Sequence, residues 1–352
     1  MSGLKYKLFR TTLETLYFSG AYRAARPLLG GVGAILMLHH VRPARPDRFQ
    51  PNALLEVTPP FFESVIKRLR SANVDVVSLD EMYRRMTAGD FSRRFVCITF
   101  DDGYRDNLEF AYPILKSYDA PFAIYVAADF ADRIGELWWL ALEAVIAQNE
   151  RVDVRMENVE RSFATASVQG KREAFDQIYG WLRSLKTEDE LRSSVRELAI
   201  RHRVDIKAFC SDLCMDWRQL SSLAADPLVT IGAHTISHPI LTKLDDAAVR
   251  AELENSRAAI QRELGVRPEH LAYPVGDRSS AGQREFRIAS ELGFKTAVTT
   301  RPGVVFRQHA RHLAALPRLS LNGNFQKSRY ADVLLSGAAT ALWNGFRPLN
   351  VS

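Results

Sequence analysis

Two short stretches carry the residues best suited to chemistry. Ile98-Thr99-Phe100-Asp101-Asp102-Gly103 sets adjacent carboxylates at the end of an apolar, β-branched run, residues 95–100, which reads as a buried strand. His234-Thr235-Ile236-Ser237-His238-Pro239 sets two imidazoles four residues apart, just after a second strand-like run. Neighbouring carboxylates repel, so the pair is costly without a cation. One carboxylate with two His makes a three-ligand set that leaves a metal position open to water. The other carboxylate is then free to take a proton from that water. In barrels of alternating strands and helices, chemistry gathers at the C-terminal strand ends, so both stretches are expected at one mouth. The plainer readings are a helix N-cap for the Asp pair and chance spacing for the His pair.

The elements that must position these groups alternate along the chain. Residues 34–41, 74–79, 95–100, 121–126, 228–231, 271–273 and 295–299 read as strands, the first ending at His39-His40. Helices are expected after Thr58, which stands at an N-cap position before Pro59, and over 104–118, 245–264 and 282–292. Gly265 and Gly293 terminate the last two. Such alternation means an α/β fold with a parallel sheet. It is interrupted over 136–215, where 138–146 and two charged amphipathic segments within 171–202 read as a helical insertion. That insertion either roofs the site or packs on the side of the barrel. Residues 4–29 are basic and amphipathic, a helix packed on the barrel or lying on a membrane face. The tail 327–346 reads as one amphipathic helix. The chain thus divides into an N-terminal basic segment (1–30), a barrel region (31–325) interrupted at 136–215, and a helical tail (326–352).

With 352 residues, 47% hydrophobic and 25% charged, the composition is that of a globular protein with room for one large domain or two. The net charge of +6 suits an anionic partner, such as a membrane surface or a phosphorylated lipid carrier. No basic tract interleaved with aromatics points to nucleic acid. Three cysteines, Cys97, Cys210 and Cys214, argue against a disulfide framework and for a reducing compartment. Cys210 and Cys214 read as packing residues, with metal binding as the alternative. Lys5, Lys7 and Arg10 break the first apolar positions, so no signal-peptide core is read. The stretch 30–38 is far shorter than the roughly 20 residues of a membrane span. A cytoplasmic enzyme is expected, with peripheral contact on the inner membrane face as an extension of that reading.

The paired motifs, in this order, resemble the polysaccharide deacetylase family (carbohydrate esterase family 4, the NodB-homology domain). Its T-F-D-D-G signature matches residues 99–103 and its H-S/T-x-x-H-P signature matches 234–239. The resemblance covers about 33–130 and 220–320. It implies a distorted β/α barrel of about seven parallel strands. It also implies one divalent metal ion, zinc foremost with nickel, cobalt or iron(II) as alternatives, and removal of N-acetyl groups from an oligo- or polysaccharide. By the same resemblance Asp101 is the base, and Asp102, His234 and His238 are the metal ligands. Tyr104 and the third-motif residues Tyr273, Pro274, Val275 and Gly276 are candidates on the substrate or oxyanion side, a backbone N–H there assisting the oxyanion.

Two departures follow from the same alignment of motifs. The third motif usually reads R-x-P-Y/F-G; here it is Ala272-Tyr273-Pro274-Val275-Gly276, so the Arg that orients the base is replaced by Ala272. Arg318, in Leu316-Pro317-Arg318-Leu319, stands where the last motif carries a His and is the candidate for the missing charge, with a surface salt bridge as the alternative. His39 belongs to a stretch resembling the L-M-Y-H-x-V start of the poly-N-acetylglucosamine deacetylase branch. It is the proton-donor candidate, with a structural hydrogen bond to an Asp as the alternative. The expected partner is an acetylated glycan of chitooligosaccharide or exopolysaccharide type, or a lipid-linked sugar. An O-acetyl esterase, a non-sugar amidohydrolase and a non-catalytic carbohydrate-binding member of the fold are the competing readings.

Overall fold

The structure, a computed structural model, describes residues 3–72, 74–157 and 159–351, with side chains from residue 6 onward. Seven parallel strands follow one another around a closed barrel. They are β1 (Gly33–Leu38), β2 (Phe95–Phe100), β3 (Phe122–Val126), β4 (Val229–Ala233), β5 (His270–Ala272), β6 (Thr296–Pro302) and β7 (Leu316–Ser320). β1 pairs with both β2 and β7, which closes the ring. A short strand, Asp75–Val76, adds to the start of β2.

Strand alternation sorts the side chains into two cores. Ile35, Phe95, Cys97, Ala123, Tyr125, Ala272, Val298 and Leu316 face the barrel interior. Leu36, Leu38, Val96, Ile98, Phe100, Ile124, Leu271 and Leu319 face the surrounding helices. Helix Leu79–Ala88 presents Leu79, Met82 and Met86 to the interior cluster. Gly232 has no Cβ because the Tyr125 ring lies 2.4 Å from where one would be.

Several elements differ from the sequence reading. β7 went unread because it holds Pro317, which lacks an N–H, and Arg318, which breaks the apolar pattern. The insertion is not wholly helical. Between the helix Trp138–Gln148 and the helices Val168–Ser184 and Glu188–Arg201 lies an antiparallel hairpin, Arg151–Met156 with Val159–Ala164. Val152, Val154 and Met156 face inward from it, in a core shared with Phe175, Ile178, Leu182 and Leu191. Thr58 stands at its N-cap position without capping; its hydroxyl donates to Gln326 Oε1 at 2.9 Å.

The two ends of the chain form one helical cap. Here α1 (Gly3–Phe18) and α2 (Ala21–Leu29) pack with α3 (Ser328–Leu335) and α4 (Ala338–Trp343) around Leu13, Tyr22, Tyr330, Val333 and Ala339. The basic N-terminal segment therefore packs chiefly on the tail. Glu14 ties the two together through Lys327, Arg329 and the Tyr330 hydroxyl. The tail itself is two helices rather than one. It breaks at Gly337, whose φ is 76° and whose Cβ position is blocked by the Leu29 carbonyl, a conformation glycine alone adopts easily.

Candidate active site

Alternation along the strands decides which side chains reach the mouth of the barrel. In β2, Phe95, Cys97 and Thr99 point inward, so Asp101 continues that row past the strand end. Its N–H donates to the Leu38 carbonyl at 3.0 Å, fixing it at the rim. His39 continues the inward row of β1, His234 that of β4, and Arg318 that of β7. The same rule turns Tyr273 outward. Its ring meets Phe286 and its hydroxyl donates to the Ala314 carbonyl at 2.8 Å, so its side chain lies outside the site.

Asp101 and Arg318 form a buried fork. Arg318 Nη1 and Nη2 donate to Asp101 Oδ1 and Oδ2 at 2.7 Å each. The guanidinium also reaches the Thr299 carbonyl at 2.9 Å and Thr99 Oγ1 at 3.2 Å. With side chains 0% and 2% exposed, the pair is no surface salt bridge. Burial alone would raise the Asp101 pKa, but the Arg318 charge and hydrogen bonds outweigh it and hold the carboxyl below its ordinary value. The guanidinium missing at Ala272 is thus delivered from two strands further round the barrel.

Beside the fork stand Asp102, His234 and His238, whose ligand atoms all lie within 4.8 Å of one another. Asp102 Oδ1 is 3.4 Å from Nε2 of each imidazole and hydrogen-bonds to neither. His234 Nδ1 donates to the Ala272 carbonyl at 2.7 Å, which leaves the Nε2 lone pair facing Asp102. Burial pushes the His238 pKa down to about 3, so this ring is neutral. Four buried polar atoms close by lack hydrogen-bond partners among the described residues: Asp102 Oδ1, Tyr104 Oη, Trp139 Nε1 and His238 Nδ1. A buried carboxylate oxygen that faces two imidazole nitrogens at 3.4 Å and hydrogen-bonds to neither is unfavourable unless a cation completes it, so the residues present fit a metal ion.

The His234–His238 loop is strained and clamped. Asp102, Thr235 and His238 all have left-handed φ, at 71°, 67° and 57°, conformations kept only where the surroundings enforce them. The Ile236 and Ser237 N–H groups donate to Glu252 Oε2 at 2.8 and 3.1 Å. Arg192, from the insertion, donates to the Ser237 and His238 carbonyls at 3.0 and 3.1 Å. Rings of Phe130 and Trp139 lie 5.6 and 5.0 Å from that of His238. Hence the insertion forms a wall of the site and does not merely lean on the barrel's side. Glu252, Arg192 and Trp139 escaped the sequence reading. The first two act on backbone groups, which leaves no motif; an inward charge beside Leu253 in the helix Asp246–Leu264 was the one available sign.

The remaining candidates separate cleanly. His39 Nε2 lies 3.8 Å from Asp101 Oδ2 and, at 15% exposure, is the most open group of the site. Burial keeps its pKa below the ordinary imidazole value despite both Asp charges. The structural hydrogen bond to an Asp belongs instead to His40, whose Nδ1 is 2.6 Å from Asp106 Oδ2. Tyr104 is fully buried, stacked on His40 at 3.6 Å, with its pKa raised by burial and then by Asp102. It backs the metal-type group and does not face a substrate. Val275 has φ 59°, follows Pro274, and its N–H meets no acceptor among the described residues. Gly276 closes the turn by donating to the Pro274 carbonyl at 2.6 Å. Cys210 and Cys214 are buried packing residues, and Cys210 Sγ donates to the Gly135 carbonyl.

Against known proteins, the profile described as polysaccharide deacetylase matches residues 88–297, more than half of the chain. The fold is similar to that of the Streptococcus pyogenes deacetylase PplD in complex with acetate. The TM-score is 0.55 and identity 20%, covering 83% of this chain and 92% of that chain. It is also similar to IcaB from Ammonifex degensii, with a TM-score of 0.52 and 17% identity over 85% of this chain and 97% of that chain. A Streptomyces coelicolor protein named 5-methyltetrahydropteroyltriglutamate--homocysteine methyltransferase is 27% identical over 194 residues. That stretch is 53% of this chain and only 23% of the relative.

Proposed function

Because the chain belongs to the polysaccharide deacetylase family, we propose that it hydrolyses N-acetyl groups on an acetylated glycan with the help of one bound metal ion. The observation that carries the reading is the Asp101–Arg318 fork set beside an unsatisfied Asp102–His234–His238 group. Asp102, His234 and His238 would hold the ion. One carboxylate and two neutral imidazoles suit zinc, and also cobalt, nickel or iron(II). Bound there, a divalent ion supplies a more acidic water and a polarised acetyl carbonyl.

The chain's own residues do the rest. Arg318 fixes both Asp101 oxygens and keeps them ionised, so Asp101 can accept the proton of the attacking water near neutral pH. Its fork leaves each oxygen a second lone pair for that purpose. The free Val275 N–H is the oxyanion donor, as it is the one third-motif amide without an acceptor; Tyr273 N–H is already bonded to the Val298 carbonyl. His39, neutral at rest and 3.8 Å from Asp101, is placed to take that proton onward and return it to the departing amine.

Acetate release from chitooligosaccharides, poly-N-acetylglucosamine and O-acetylated xylan tests the reading. Release is expected from an N-acetylated sugar, abolished by a chelator and restored by zinc. Release from the xylan alone would replace the amide substrate by an ester. No release by the metal-loaded protein would leave a binding module. A second expectation concerns the clamp. Arg192→Met should weaken metal retention by about 10- to 100-fold, the usual loss when an outer partner of a metal ligand is removed. Competition with a chromogenic chelator measures it; unchanged affinity would show that the loop keeps its shape unaided.

A further inference from the structure

The cap made by both chain ends carries a surface that the barrel chemistry does not use. Residues 3–29 and 328–352 are about a seventh of the chain. Yet of the eleven large apolar side chains exposed among the described residues, six lie there: Leu8, Phe18, Leu28, Leu342, Trp343 and Phe346. Single exposed apolar residues are ordinary; their concentration on one small module is not. Leu28 is 82% exposed. On α1, Leu8 and Phe18 share the side opposite the buried Leu13, as the helical repeat requires. Trp343 meets Phe9 edge-on at 5.9 Å and lines an apolar cavity of about 210 Å³ between the cap and the end of β7.

Charge is concentrated on the same module. Residues 3–29 hold five Lys and Arg against one acid, and 328–352 hold two against one, so the cap accounts for five of the six net positive charges of the chain. Among the described residues, Lys7, Arg10, Arg26 and Arg347 of this cap are exposed and form no ion pair. No described helix is long and apolar enough to cross a membrane.

We propose that this cap docks on the surface of an anionic lipid bilayer. Unpaired cations beside exposed Leu, Phe and Trp are what an interface of anionic headgroups and acyl chains recognises. A second copy of the chain would bring like charge against like charge. Nucleic acid would satisfy the cations and leave the aliphatic side chains in water. The inference is independent of the chemistry at the barrel mouth, and its readout is separate from acetate release.

Co-sedimentation of the full chain with vesicles tests it. The protein is expected to pellet with phosphatidylglycerol-containing vesicles, to stay in solution with phosphatidylcholine alone, and to be released by salt. Lys7→Gln with Arg26→Gln should lower partitioning about 25-fold, at about fivefold per charge. Leu28→Ser with Phe346→Ser should also weaken it, while acetate release from a soluble substrate stays unchanged. Equal binding to both vesicles, no binding to either, or variants that bind like wild type would overturn the proposal. So would a change of molecular mass by light scattering in the Leu28→Ser, Phe346→Ser protein, which would mark an interface between copies.

Discussion

Asp101→Asn should lower turnover by roughly 10²–10⁴-fold, the usual loss of a general base, while the metal stays bound. The amide keeps the shape of the carboxylate but has no oxygen basic enough to accept the proton of the water. It also turns an N–H toward the Arg318 fork, donor against donor, so the variant should melt below wild type. Metal content, measured beside initial rates of acetate release, separates the two effects. A metal-loaded Asp101→Asn protein that works at near wild-type rate would refute the base role.

Arg318→Ala should be more harmful to the fold. It leaves Asp101 buried and unpaired, and removing one partner of a buried ion pair typically costs about 3–5 kcal/mol. Denaturant titration reads that loss. In the fraction that folds, the pH–rate profile should change as well. The Asp101 pKa is held down by Arg318 against burial; with the guanidinium gone, burial prevails and the pKa rises. Since the base works only when ionised, the acidic limb must move to higher pH. Arg318→Lys keeps the charge but not the two-pronged geometry, so it should recover most of the stability and part of the rate. An unshifted acidic limb in Arg318→Ala, with metal retained, would reduce Arg318 to a structural residue.

The core of the site was legible because it lies on strand ends. Asp101, Asp102, His234 and His238 follow apolar runs whose parity fixes where they point, and the short runs between helices could be read as a barrel. His39 and His40 show how fine that reading has to be: both are plausible from type alone, and the inward row of β1 assigns the first to Asp101 and leaves the second to Asp106. Arg318 could be suspected from the gap at Ala272, but its fork depends on the parity of β7, which Pro317 disguised. The hairpin in the insertion did leave a trace, the alternation of Val152, Val154 and Met156, masked by the charged helices around it. Arg192 left none and Glu252 only its charge beside Leu253, since they hold the His loop through carbonyls and N–H groups that any sequence would offer. The break at Gly337 depends on the distant Leu29 carbonyl, a tertiary contact that local pattern does not encode.

The central claim is that Asp102, His234 and His238 hold a metal while Asp101 stays free of it as the base. Anomalous diffraction from crystals of the zinc-loaded protein tests this most directly. One zinc peak bonded to those three side chains, with Asp101 still held by Arg318, is the expected result. A peak that omits any of the three, or that takes Asp101 as a ligand, would contradict the account.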